Sequence, residues 1–179
     1  MGLTIGAQSD PRTRGMTPTQ NRKRLTAARN FDDIFMLVKE ATEQSLGMHR
    51  AGLSLVLGDI PNNVGAYHEM GSNAIVMNRN LLKVVQRISK SRARVNSYVF
   101  MILLHEYLHT LGYANDGQVR KLGRDIAGTF FGGRHPAADM AVKPLDQFFP
   151  DIGKYSAFRD KGMYESVPKF DRSSSPYIG

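Results

Sequence analysis

Residues 105–109 read His-Glu-Tyr-Leu-His and follow directly on the apolar run Tyr98-Val99-Phe100-Met101-Ile102-Leu103-Leu104. No other stretch constrains this chain as tightly. A run so apolar, ending in two imidazoles spaced four apart, fits a helix buried in the middle of a domain. On a helix, residues four apart lie on one face, about a turn from each other. His105 and His109 can therefore direct two nitrogens at one metal ion, and Glu106, one step round, can reach a water held by that ion. Two histidine ligands, a carboxylate base and a coordination position open to water are what hydrolytic zinc chemistry requires. Gly112 stands where such a helix would end.

Composition narrows the ion and its setting. The 179 residues include no cysteine, so a zinc ion has to be held by His, Asp or Glu, and disulfides are excluded. The hydrophobic fraction of 41% is low for a fully packed globular chain, which predicts unpacked segments. The longest apolar stretch is too short to span a bilayer and the N-terminus lacks the apolar core of a signal peptide, so no membrane contact and a cytoplasmic setting are expected. The net charge is +8. Arg12, Arg14, Arg22, Lys23, Arg24 and Arg29 face only Asp10 within the first thirty residues, and Lys83, Arg87 and Lys90 fall at helical spacing before the motif. Such clusters serve either as solvated surface or as a weak contact for RNA or another polyanion. The aromatic interleaving used by single-strand binders is missing.

Along the chain, residues 1–29 carry no apolar period and read as a flexible basic tail. Asn30 is placed to cap a helix that starts at Phe31, with Asp32 and Asp33 in its first turn and Gly47 at its stop. Leu53 to Leu57 reads as a strand, Ala66 to Met70 as a short edge strand and Asn73 to Asn78 as a more central one. Helices are expected over Leu81 to Ile88, Ala93 to Tyr113 (the motif helix) and Gln118 to Phe130. From Pro144 onward Pro, Gly, Ser and Lys dominate, which predicts a loosely packed C-terminal arm over 144–179. The order gives an α+β fold, a small twisted sheet packed on helices, with the working domain over 30–143.

This order, together with His105-Glu106-Tyr107-Leu108-His109, resembles the zincin metallopeptidases, and most nearly small single-domain, archaeal-type, gluzincin-like ones. The likeness covers residues 31–135. It implies a Zn2+ cofactor, a peptide or protein substrate laid along the edge strand, and Glu106 as the catalytic base. His68, on that strand, is expected to contact substrate. The third zinc ligand has several candidates. In the metzincin consensus it stands three residues after the glycine, which here is Asn115, a poor ligand, so Asp116 one place on is a minor candidate. His135, after the Gly132-Gly133 hinge, offers imidazole and is favoured. Asp125, on the helix after the motif, matches the gluzincin plan and is the runner-up. Two other outcomes stay open: an inactive zincin-like domain serving as a basic protein- or RNA-binding component, and a latent enzyme with Tyr164 to Phe170 lying across its cleft.

Overall fold

The computed structural model describes residues 15–155 and 162–172. In chain order these form α1 (Pro18–Ala27), α2 (Phe31–Leu46), β1 (Ser54–Gly58), β2 (Ala66–His68), β3 (Ala74–Asn78), α3 (Arg79–Ile88), α4 (Arg92–Thr110), α5 (Asp116–Phe131), α6 (Pro136–Met140) and β4 (Tyr164–Ser166). The fold is α+β, as expected. α4 is its axis: Tyr98, Phe100, Leu103, Leu104, Tyr107 and Leu108 are all buried. A helix apolar on every side has to be covered on every side, and α1, α2, α5, α6 and the β2–β3 hairpin all pack on it. Among the described residues no helix is long and apolar enough to cross a membrane.

The strands form one mixed sheet in the order β2-β3-β1-β4. β1 and β3 are parallel, while β2 on β3 and β4 on β1 are antiparallel. Leu55, Ile75 and Met77 point from the sheet into the core shared with α2 and α4. β2 is an edge, as the sequence predicts. The Asn78 N–H donates to the Gly65 carbonyl at 2.9 Å, and β2–β3 pairing continues in that register through Tyr67 and Val76. Antiparallel alternation then turns the N–H and C=O of Ala66 and His68 outward, away from β3.

The capping of α2 follows its sequence: Asn30 Oδ1 accepts from the Asp33 N–H at 2.8 Å, and Gly47 takes a φ of 64° at the C-cap. Within the presumed tail, residues 1–14 lie outside the described residues, but 15–29 depart from expectation. α1 opens with a capping box, Thr17 and Gln20 bonding each other's backbone around Pro18. It docks through polar groups. Asn21 Nδ2 donates to the Phe130 carbonyl at 3.0 Å, Arg22 to the carbonyls of Phe131 and Gly132, and Asn96 Nδ2 from α4 to the carbonyls of Leu25 (2.7 Å) and Ala28 (3.1 Å). Only Asn21 and Leu25 of α1 are buried, which is why no apolar period announces it.

The presumed C-terminal arm also departs from expectation. Phe149 is buried edge-on against Tyr98, and Phe170 stacks on Phe35 with ring centroids 4.4 Å apart. Asp171 accepts from Lys39 Nζ at 2.6 Å and from the Leu53 N–H at 3.1 Å, with both charged side chains out of water. Tyr164 to Ser166, expected across the cleft in the latent form, instead pair with β1 at the sheet edge opposite β2. Residues 156–161 and 173–179 lie outside the described residues.

Candidate metal centre

The end of α4 and the start of α5 bring three donor atoms together. His105 and His109 face the same side in the last turns of α4, with their Nε2 atoms 3.2 Å apart. Gly112, at a φ of 100°, lets the chain turn back sharply. Asn115 then caps α5, its Oδ1 accepting from the Gln118 N–H at 2.9 Å. Asp116 is thereby the first residue of the new helix. Its Oδ1 lies 3.1 Å from His109 Nε2 and 3.6 Å from His105 Nε2.

The tautomer of His109 is fixed by its other nitrogen. Nδ1 lies 2.7 Å from the Tyr113 carbonyl, which can only accept, so Nδ1 carries the proton. In the neutral ring, Nε2 then presents a lone pair to an aspartate oxygen and to a second imidazole nitrogen. Lone pairs so close repel unless a cation, a proton or a metal ion, sits among them. Burial, and after it the neighbouring His109, holds the His105 pKa below its ordinary value, which disfavours the proton there. The edges of the triangle suit a metal. Ligands about 2.0–2.2 Å from a tetrahedral zinc stand about 3.3 Å from one another, against the observed 3.2, 3.1 and 3.6 Å. A two-histidine, one-carboxylate set fits zinc, and the Nδ1–carbonyl bond behind His109 is the kind of outer contact that orients such ligands.

Glu106 is buried beside this triangle. Desolvation, followed by the nearby Asp116 charge, raises its pKa to about 7, opposed by a hydrogen bond from the backbone N–H of His68. The edge strand thus meets the acid through its main chain. The His68 ring plays no such part: its Nδ1 bonds the Ala74 carbonyl across the hairpin at 3.1 Å. His105, Glu106 and Asp116 open onto a cleft of about 660 Å³, walled by Gly65 and Ala66, by Met101 and Ile102, and by the segment from Met140 to Leu145. Buried in the same wall is Tyr98, whose hydroxyl has no hydrogen-bond partner among the described residues.

The two ligands favoured from sequence are elsewhere. His135 caps α6, its Nδ1 accepting from the Ala137 N–H at 3.3 Å, and its ring stacks on Phe131 with centroids 4.3 Å apart. The Gly-Gly hinge turns it into a helix start and away from the histidine pair. Asp125 is exposed between the buried positions Gly123 and Ile126, on the solvent side of α5. Asp116, only a minor candidate from the sequence, reaches the histidines because the chain does not continue past Asn115 in one direction but restarts as a helix. The signal was present: an Asn N-cap at 115 puts residue 116 in the first turn. Several basic residues in and beside the clusters are engaged within the fold. Arg24 pairs with Glu40 at 2.8 Å, Arg79 with buried Asp59 at 2.7 Å, Arg87 lies over the Tyr155 ring, and Arg94 bonds the Phe148 carbonyl. Comparison of the chain with protein-family models, curated proteins and solved structures gave no significant match.

Proposed function

We propose that this chain is a zinc-dependent metallopeptidase of the His-Glu-x-x-His type, with His105, His109 and Asp116 as its ligands. The observation that carries the reading is the triangle of Nε2, Nε2 and Oδ1 with edges of 3.2, 3.1 and 3.6 Å. Zinc, when bound, would polarise a carbonyl and lower the pKa of water to about 7. The chain's own residues supply the rest. A peptide pairs with the outward Ala66 N–H and C=O of β2 by strand addition. As a water oxygen adds to the scissile carbonyl carbon, Glu106 accepts a proton from that water. It passes the proton to the departing nitrogen as the C–N bond breaks. The His68 N–H holds the Glu106 carboxylate in place throughout. A cytoplasmic setting is part of the proposal.

Metal analysis joined to a peptidase assay tests it. Wild type is expected to hold about one zinc per chain, Asp116→Asn to bind it at least tenfold more weakly, and Glu106→Gln to keep zinc and fold while losing hydrolysis, because an amide cannot take the proton. Full zinc affinity in Asp116→Asn would remove Asp116 from the ligand set, and undiminished cleavage by Glu106→Gln would put the base elsewhere.

A further inference from the structure

Arg120 stands one turn after Asp116 on α5 and lines the cleft with His105, Glu106 and Asp116. An acid and a base four apart on a helix are ordinarily close enough to pair. Asp116 turns instead to the two histidines, and Arg120 makes no hydrogen bond or ion pair among the described residues. The other cation of the cleft wall, Lys143, is engaged with Asp139 at 3.2 Å. Glu106 and Asp116 are the acids among the described residues that line the cleft, and both are committed to the centre.

We propose that Arg120 determines the specificity of this cleft by receiving a carboxylate of the substrate close to the scissile bond. The proposal rests on the metallopeptidase reading and names the substrate class: peptides carrying an acidic group beside the bond that is cut. A guanidinium offers a planar fork of donors that meets both oxygens of a carboxylate. Gly65 and Ala66 wall the same cleft, so a peptide laid along β2 shares it with Arg120. The carboxylate comes from an Asp or Glu side chain or from a chain terminus, which amidation separates.

The test reads binding apart from turnover. The full-length chain is loaded with cobalt(II), whose visible spectrum responds to ligands entering the centre, and is titrated with acetohydroxamate and with succinic acid monohydroxamate, which adds one carboxylate. Wild type is expected to bind the second about tenfold more tightly, and Arg120→Gln, at an exposed position, to bind the two alike. Equal affinities in wild type, or an undiminished preference in Arg120→Gln, overturn the role of Arg120 while the metal reading stands. A cobalt-loaded chain that responds to neither hydroxamate, or a chain that takes up no cobalt, overturns the metal reading and this proposal with it. Zinc-loaded enzyme is then given matched peptides with Glu or Gln beside the scissile bond, each with a free or an amidated C-terminus. A preference lost on Glu→Gln assigns the side chain, one lost on amidation assigns the terminus, and equal cleavage of all four overturns the proposal.

Discussion

Asp171→Asn tests whether the C-terminal segment is part of the fold. Asp171 is 1% exposed, and its two oxygens accept from Lys39 Nζ at 2.6 Å and from the Leu53 N–H at 3.1 Å. The amide keeps the shape and one acceptor oxygen but removes the charge that faces a Lys39 side chain only 3% exposed. Removing one member of a buried ion pair costs about 3–5 kcal/mol, a large part of the roughly 5–15 kcal/mol that holds a domain folded. For a chain of this size each kcal/mol moves Tm by about 2–4 °C, so a fall of about 6–20 °C is expected. Urea and thermal melts followed by circular dichroism give the number. A second variant sharpens the reasoning: adding Lys39→Met to Asp171→Asn removes the stranded charge, so the double variant should be less destabilised than the sum of the singles. A loss under about 1 kcal/mol for Asp171→Asn, or strict additivity, would refute the account of a buried, coupled pair.

Two further outcomes follow from the same structure. Burial, and after it the Arg22 charge, depresses the His135 pKa from 6.5 to about 4. The unfolded chain therefore takes up the proton first, and the contribution of this residue is complete above about pH 6.5 and lost as pH falls toward 4. His135→Asn keeps a capping side chain, so it should flatten the difference between urea melts at low and neutral pH while zinc content stays at the wild-type level; an unchanged pH dependence, or lost zinc, contradicts this placement. Asn21→Leu removes the donor to the buried Phe130 carbonyl at 3.0 Å and is expected to cost about 1–3 kcal/mol, whereas a flexible tail would tolerate the change with no measurable shift of the urea midpoint.

The parts of the fold legible in the sequence are those stabilised by burial with a period. α2 shows its apolar stripe through Ile34, Phe35, Val38 and Ala41 between a polar cap and a glycine stop, and α4 shows an unbroken apolar run. α1 has no such stripe because it is held by side chains reaching carbonyls, and a lone Asn or Arg in a polar segment does not reveal which carbonyl it will meet. β4 is exposed at all three positions, so it carries no alternation; its pairing partner comes from the free edge of β1. Phe170 and Asp171 are single inward-facing residues in a segment of otherwise solvated composition, and what makes them interior, Phe35 and Lys39, lies on a helix more than a hundred positions earlier.

The third donor belongs to a different kind of case. Reading donor chemistry alone favours His135, since imidazole is the better nitrogen ligand for zinc. Position overrides that preference. A donor that is close along the chain and held by a cap loses little entropy on joining the pair, whereas a distant loop has to be ordered for the purpose. Between His109 and Asp116 the chain spends one glycine turn, one carbonyl returned to the His109 ring and one asparagine cap. Each of these is itself a device for ending or starting a helix, so the turn that joins α4 to α5 and the triangle of donors are the same structure. All three donors fall within residues 105–116, and the rest of the fold is left to supply what a local turn cannot: the outward main chain of β2 and the walls of the cleft.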